Sequence, residues 1–380
     1  MTTRPSRFPL AFYLGLGTTL LLFFGLQALF PTLPLYILQI GGTATDNGLA
    51  TWAFALASVL VRPFAGSLAD RRGGRLMLVA GALLFGGAPL LYLVSHTVPA
   101  LLAARAAHGA GMALFSVTYT ALAVALSPPE RRGEGLGLAS AASTVATAVA
   151  PLVGEGLVAL GNFSLLFVVL GGLGLVAACG AVLLPPLPPA PQTRSPLGGM
   201  RQVLAHRRVR VVSAEMALMG LPFGMLIGFL PLLAQERGFG STGWAFAAYA
   251  LTCTASGPLA GRLSDRLGRR WAILPGAIAA TLATLGLAFV GNRWGMVGLA
   301  TLYGLGWCTM RAGLDAQVQD AVAPDQRAGA VAAQYTAFDL GVGAGSWALG
   351  ALASAHGCGA GFAVAAGAAF LAFLLLMVEP

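Results

Sequence analysis

The 380-residue chain contains no lysine, so all 22 of its basic side chains are arginines. A phosphate-binding loop of the Gly-Lys-Ser/Thr type is therefore excluded, and with it a nucleotide-driven motor of that kind. Charged residues make up only 9% of the chain, whereas an average soluble domain carries about 25%. A water-soluble fold is accordingly not expected.

Cysteine and catalytic motifs are also scarce. The four cysteines are Cys179, Cys253, Cys308 and Cys358, and they are too far apart for a paired metal spacing or a disulfide framework. We expect them to be small packing residues in or near apolar helices. No zinc-protease helix motif and no nucleophile elbow occurs in the sequence. The sequence thus predicts no enzyme, no cofactor and no metal site.

Apolar residues, by contrast, dominate the chain: 57% are hydrophobic and the mean hydropathy is +0.80. A helix needs about 20 apolar residues to cross the hydrocarbon of a bilayer, where open backbone groups cannot be satisfied. The predicted helices are residues 10–38, 48–68, 75–94, 98–126, 134–159, 163–184, 209–234, 243–263, 271–290, 295–321, 328–353 and 360–378. We therefore expect an all-α integral membrane protein with twelve transmembrane helices in two pseudo-symmetric six-helix bundles.

One segment interrupts this pattern and divides six helices from six. Residues 185–208 are rich in proline and then in arginine, which is typical of an extended linker leading to a basic juxtamembrane segment. The predicted domains are an N-terminal bundle (1–184), a cytoplasmic linker (185–208) and a C-terminal bundle (209–380).

The arginines are distributed unequally between the two sets of loops, and positive residues stay on the cytoplasmic side. The N-terminus and the loops after helices 2, 4, 6, 8 and 10 hold Arg4, Arg7, Arg71, Arg72, Arg75, Arg131, Arg132, Arg194, Arg201, Arg207, Arg208, Arg262, Arg266, Arg269, Arg270 and Arg327. The opposite loops hold only Arg237 and Arg293. Both termini are therefore predicted to be cytoplasmic, in a bacterial inner membrane. Topology and anionic lipid explain the net charge of +9, and no nucleic-acid partner is expected.

The same run of residues occurs twice, 195 positions apart, at 63–75 and at 258–270. The offset also relates Gly109 to Gly304 and Gly111 to Gly306 in helices 4 and 10. An internal repeat of this length indicates duplication of a half, which is the plan of many two-bundle transporters.

The doubled run resembles the hallmark of the major facilitator superfamily, Gly-x-Leu-x-Asp-Arg-x-Gly-Arg-Arg/Lys after helix 2. The residues that carry the resemblance are Gly66, Asp70, Arg71, Gly73, Arg75, Gly261, Asp265, Arg266 and Gly268. Gly74 replaces a usual basic residue in the first copy. The resemblance implies that these residues form a cytoplasmic latch, a contact between the halves when the outside is open. In the alternative interpretation, the arginines only set the topology.

Several charged residues fall inside predicted helices, where they are costly without water or a partner. The resemblance links Arg105 in helix 4 to proton movement, and His108, one turn deeper, is either a titrating group or a packing residue. Asp339, near the middle of helix 11, is the first candidate for coupling. Arg311 and Asp315 share a face of helix 10, which favours an internal ion pair.

The family also suggests a cavity lined by helices 1, 4, 7 and 10. The candidate lining residues are Phe24, Gln27, Tyr36, Met112, Phe115, Met225, Tyr303 and Trp307, although packing or lipid-facing roles fit them too. Helix 5 carries Ala146, Ala150, Pro151 and Glu155 in a pattern similar to that of efflux antiporters. Glu155 itself is expected at an exposed helix end with no special role.

Together these features predict a secondary active transporter that exports a small amphipathic or hydrophobic compound by alternating access, coupled to protons or another ion. Two alternatives remain: an uptake symporter or uniporter of the same fold, and a membrane sensor that binds a ligand without moving it. The pH dependence of flux separates export from uptake, and the absence of flux would identify a sensor.

Overall fold

A computed structural model describes residues 7–72, 74–186, 202–323 and 326–378. Within these ranges the secondary structure is helical and contains no strand. The first helices are α1 (Leu10–Gln39), α2 (Ala44–Arg72), α3 (Gly74–Leu93) and α4 (Val98–Leu126), followed by a short 3-10 turn (Pro129–Arg131) and the long segment Arg132–Leu183. The segment has two limbs, which we call α5 (132–160) and α6 (163–183). The remaining helices are α7 (Arg207–Glu236), α8 (Gly243–Leu267), α9 (Arg269–Phe289), α10 (Arg293–Asp320), α11 (Arg327–His356) and α12 (Cys358–Val378).

The break between α5 and α6 lies at Gly161 and Asn162. Asn162 has a φ of 66°, a left-handed conformation that asparagine tolerates better than most residues. Its Oδ1 accepts a hydrogen bond from the Ser164 backbone N–H at 2.8 Å, which starts α6. The predicted division into fifth and sixth helices is therefore present as a sharp bend.

Another boundary differs from its prediction. Helix α2 begins at Ala44, four residues earlier than the sequence suggested. The Asp46 carboxylate explains this early start, because it accepts bonds from the Thr43 N–H at 2.7 Å and from the Thr43 hydroxyl at 2.8 Å. These bonds satisfy donors at the beginning of a helix.

Eight helical segments in the described ranges are long and apolar enough to span a membrane, one of them being the whole of 134–183. Helices α8, α10 and α11 fall outside this set; α10 and α11 carry Arg311, Asp315 and Asp339 among their apolar residues. Large apolar side chains such as Leu60, Phe64 and Leu83 lie exposed on the outside, as expected for contact with lipid. The chain is an all-α integral membrane protein.

The repeat seen in the sequence reappears as repeated helix packing. A Cβ placed on Gly109 of α4 would lie 2.1 Å from the Phe54 carbonyl of α2, and one on Gly304 of α10 would lie 2.7 Å from the Tyr249 carbonyl of α8. The 195-residue offset relates both members of these pairs. Glycine allows such close approach because it has no side chain.

The two halves meet mainly along α2 with α11 and along α5 with α8, which we call the first and second seams. In the first seam, a Cβ on Gly48 would lie 2.2 Å from the Ser346 carbonyl. In the second, a Cβ on Gly243 would lie 2.8 Å from the Leu152 side chain. Gly48 and Gly243 are again 195 positions apart, so the seams are related by the repeat. The predicted domain boundaries stay a prediction, since residues 187–201 of the linker lie outside the described residues.

Candidate functional site

One end of the interface between the halves is held by polar contacts across both seams. Thr45 of α2 contacts Ser354 of α11, with 2.9 Å between the hydroxyl oxygens. Glu155 at the end of α5 accepts bonds from the Thr242 N–H at 2.8 Å, the Thr242 hydroxyl at 2.9 Å and the Gly243 N–H at 3.1 Å. The Ser241 hydroxyl donates a further bond. This end lies away from the arginine-rich loops, and it is closed.

Glu155 lies near the end of its helix, as expected, but it is not an ordinary surface residue. Its carboxylate meets the first N–H groups of α8, where the helix dipole favours negative charge. The sequence signal for this role is the acid that replaces the last glycine of the helix 5 pattern, but the sequence does not indicate its partner.

A cavity of about 290 Å³ lies between the halves near the middle of the helices. Its lining residues are Phe23, Gln27 and Phe30 from α1, Ser143, Thr144 and Thr147 from α5, Phe223 from α7, Tyr249, Ala250, Cys253 and Thr254 from α8, Trp307, Cys308 and Arg311 from α10, and Phe338 from α11. A larger pocket, of about 380 Å³, lies among α7, α9, α10 and α12 of the second half alone. Of these two pockets, only the 290 Å³ cavity is lined by residues from both repeats.

The cavity wall contains some of the predicted residues and excludes others. Gln27 and Trp307 line it, and the Gln27 amide donates to the Thr147 hydroxyl at 2.8 Å. The residues placed elsewhere are Phe24, Tyr36, Met112, Phe115, Met225 and Tyr303. Most of these pack inside one half; Met225, for example, is 0% exposed and contacts Gly361 of α12. No residue of α4 is among the described lining residues, because α4 packs mainly against α2 and α3.

The two polar groups predicted in α4 lie in that covered interface. Arg105 donates from Nε to the Ala50 carbonyl at 3.3 Å and lies over the Phe54 ring at 4.4 Å. His108 is 1% exposed, and its Nδ1 lies 2.7 Å from the Tyr92 hydroxyl. Both side chains thus have partners within the first half, and their predicted part in proton movement stays a prediction.

Asp339, the first candidate for coupling, lies in an ion pair that the sequence analysis had missed. The Arg62 Nη2 of α2 lies 2.8 Å from the Asp339 Oδ2 of α11, so the pair crosses the first seam. Both side chains are half-buried, at 24% and 23% exposure. Arg62 is a charged residue inside a predicted membrane helix, which is the criterion that singles out Arg105, so the sequence does contain a signal for it.

Arg311 on the cavity wall belongs to a network that includes Asp315, which lies behind the wall. Arg311 Nε lies 3.7 Å from the Asp315 carboxylate and donates to the Tyr335 hydroxyl at 2.9 Å. Asp315 also accepts bonds from the Tyr335 hydroxyl and the Gln334 amide, each at 2.9 Å. The expected ion pair is present, with two residues of α11 added to it.

The cysteines require a correction. Cys253 of α8 and Cys308 of α10 form a disulfide, with their Cα atoms 5.3 Å apart. The prediction that these two are only packing residues is wrong. They face each other because Gly304 brings α10 against α8, a proximity hidden by their separation of 55 residues. Cys358 is buried and Cys179 is exposed.

Most of the predicted latch lies outside the described side chains, namely Gly66, Asp70, Arg71, Gly73 and Asp265. Of the remaining members, Arg75 donates to the Val182 carbonyl in its own half, and Arg266 is exposed. Gly268 has a φ of 97° and allows the turn between α8 and α9. The latch therefore stays a prediction.

Two repeats of membrane helices with a shared central cavity are the architecture of two-bundle transporters. The chain belongs to the Major Facilitator Superfamily, whose family model matches residues 15–240 and 216–380. The resemblance inferred from the doubled motif is thereby confirmed.

Individual relatives are more distant. The Quinolone resistance protein NorA of Staphylococcus aureus is 30% identical over 164 residues, which are 43% of this chain and 42% of that protein. This chain therefore matches less than half the length of that relative. The nucleoside transporter NupG superposes with a TM-score of 0.81 at 13% identity, over 98% of this chain and 100% of NupG. A bacterial homologue of the human lysosomal transporter Spinster gives a TM-score of 0.80 at 18% identity, over 98% and 96% of the two chains. These structures share the fold.

Proposed function

We propose that the chain is a proton-coupled exporter of small amphipathic organic compounds, which works as an antiporter by alternating access in the bacterial inner membrane. The observation that carries this proposal is the Arg62–Asp339 ion pair, which joins the two halves beside the cavity. Asp339 directly follows Phe338, a residue of the cavity wall. The central cavity is the transport site.

The ion pair supplies a physical link between proton binding and motion of the halves. An ionised Asp339 attracts Arg62 across the first seam, and burial makes that attraction stronger than it is in water. A proton on the carboxylate removes the charge and leaves Arg62 to water or another partner. Proton binding therefore weakens one contact between α2 and α11, which changes the relative free energies of the two conformations.

Three observations support export. The polar contacts of Glu155 and Thr45 close the end away from the arginine-rich loops, which we place on the cytoplasmic side together with both termini. The present conformation is then the one that loads a compound from the cytoplasm. The helix 5 pattern and the similarity to a protein named for quinolone resistance favour export over uptake.

Proteoliposomes with an imposed pH gradient test the proposal. A quinolone and a chemically mixed panel of aromatic and aliphatic compounds serve as probes, and a protonophore is the control. An antiporter accumulates its substrate when the lumen is acidic, because protons leave as the compound enters. Accumulation only with an acidic exterior would instead identify a symporter, and binding without flux would identify a sensor.

The Asp339→Asn variant tests the coupling residue. Gradient-driven accumulation should be lost, whereas exchange of labelled for unlabelled substrate should continue, because exchange needs no net proton movement. Asp320→Asn is the matched control, since Asp320 also forms an ion pair, with Arg269 at 3.0 Å, but at an exposed end of α10 within one half. Undiminished pumping by Asp339→Asn would exclude Asp339 from coupling.

A further inference from the structure

Arg311 is the only charged residue among the described residues that line the central cavity. Its side chain is 44% exposed, which for a residue on this wall means exposure to the cavity. The guanidinium is fixed from one side: Nε donates to the Tyr335 hydroxyl at 2.9 Å, and the group lies over the Tyr335 ring at 5.1 Å. The two terminal nitrogens, Nη1 and Nη2, form no hydrogen bond with any residue in the described ranges.

Asp315 does not occupy those terminal nitrogens. Its nearest approach to Arg311 is 3.7 Å, and it is made to Nε. Both carboxylate oxygens already accept bonds, Oδ1 from Gln334 and Oδ2 from Tyr335. The network therefore orients the guanidinium and leaves its donor fork directed toward the cavity. A planar fork of this kind binds a carboxylate through two parallel hydrogen bonds.

Aromatic rings surround the same part of the wall. Trp307 precedes Arg311 by one helical turn, so the two share a face of α10. The Trp307 ring stacks on Phe338, with centroids 4.9 Å apart and planes 18° apart, and Phe223 lies 5.7 Å from Trp307. The facing wall from the first half is uncharged: Phe23 and Phe30 are apolar, and Gln27, bonded to Thr147, is polar. Trp307 is 2% exposed and Phe338 9% exposed, so Phe223 is the most accessible of these three rings beside the single cationic fork.

We propose that Arg311 is the anion-recognition residue of this cavity, and that the compound it binds carries an acidic group, such as a carboxylate, on a planar aromatic frame. The acid pairs with Nη1 and Nη2, and the ring packs against the aromatic cluster of Phe223, Trp307 and Phe338 on its accessible side, at Phe223. This inference rests on the proposed function, because it takes the central cavity to be the transport site. It narrows the substrate class from amphipathic compounds in general to aromatic acids.

Calorimetric titration of the purified chain in nanodiscs with three probes of equal shape tests the inference. The probes are naphthoate, the neutral naphthamide and the cationic naphthylmethylamine. We expect naphthoate to bind roughly tenfold or more tighter than naphthamide, because a hydrogen-bonded charged pair is replaced by a neutral contact. Equal affinities, tighter binding of the cation, or no measurable binding of any probe would overturn the proposal.

Variants of the arginine complete the test. Arg311→Gln should remove the preference for naphthoate while naphthamide still binds, and Arg311→Lys should retain part of it. Arg293→Gln, at the start of the same helix and outside the cavity, should leave the preference intact. If Arg311→Gln does not fold, the inference is tested by Arg311→Lys and by the three probes on the unsubstituted chain. A preference that survives in Arg311→Gln contradicts the inference.

The two proposals fail separately. The titration involves neither a gradient nor flux, so a preference for the acid that depends on Arg311 supports the subsite even if proteoliposomes show no proton-driven export. Proton-driven export of neutral compounds without any preference for acids would retain the transporter and reject the anion subsite.

Discussion

Removal of the Glu155 carboxylate should open the closed end of the second seam. The side chain accepts two bonds from backbone N–H groups of α8 and two from hydroxyls, all across the interface between the halves. Hydrogen bonds to a charged group contribute about 1.5–3 kcal/mol each, so the two backbone bonds alone give about 3 kcal/mol. The serine and threonine hydroxyls return to water and are left out of this sum.

A difference of about 3 kcal/mol corresponds to roughly a hundredfold change in the ratio of closed to open molecules. A closed population of about 99% would therefore fall to about one half in Glu155→Ala. Glu155→Gln keeps one acceptor oxygen but loses the charge, and we expect about half the free-energy change.

Distances between two spin labels measure this ratio. Suitable sites are Leu160 at the end of α5 and Trp244 at the start of α8, which are 83% and 52% exposed. Cys179 is exposed and is replaced by alanine to leave a clean background. Glu134→Gln is the matched control: the same substitution on the same helix, with its partner Arg131 at 2.6 Å inside one half. A distance distribution in Glu155→Ala that equals the original would refute the reasoning.

Three further predictions concern helix packing, a buried hydrogen bond and the disulfide. Gly109→Ala should lower the free energy of unfolding by about 1–3 kcal/mol, because the added Cβ meets a backbone carbonyl at 2.1 Å. Gly304→Ala should lower it by less, since the corresponding distance is 2.7 Å. Gly87→Ala, where nothing lies within 4 Å of the added Cβ, should leave the melting temperature unchanged or raise it. Tyr92→Phe leaves the buried His108 Nδ1 without its partner, and the free energy of unfolding should fall by about 1–3 kcal/mol in a melting experiment. If His108 is a packing residue, gradient-driven transport per folded molecule stays the same. A loss of transport without a loss of folded protein would assign His108 to the proton path. Alkylation followed by mass spectrometry should modify Cys179 at once but the disulfide pair on the cavity wall only after reduction; modification of that pair without reductant would contradict the bond.

The sequence predicted the helices and the contacts within each half well, because these depend on local pattern. Apolar length defines a membrane helix, and the glycines shared at one offset identify the faces that pack closely, as Gly109 and Gly304 do. Arg311 and Asp315 could be paired from sequence since they are four residues apart on one helix. Each of these inferences uses only residues that are near in the chain or repeated in it.

Contacts across the halves were missed for a physical reason. Arg62 and Asp339 lie on different repeats, and nothing in an apolar helix shows which of its faces meets the other half. The packed core side of such a helix and much of its cavity-facing side both carry apolar and aromatic residues, so hydrophobic patterning alone does not distinguish them. The same ambiguity explains why Met225 and Tyr303 were placed on the cavity wall when they lie in the core of the second half.

The two seams are related by the repeat but are held by different contacts. At the closed end of the first, Gly48 rests directly on the main chain of α11, a steric contact that does not depend on charge, whereas the Arg62–Asp339 ion pair lies further along the same seam. Along the second, the corresponding tip is held by the carboxylate of Glu155, and position 350 of the other copy is a glycine. At this closed end the two halves therefore need not separate symmetrically, because the tip held by Glu155 depends on the charge of a carboxylate and the tip at Gly48 does not.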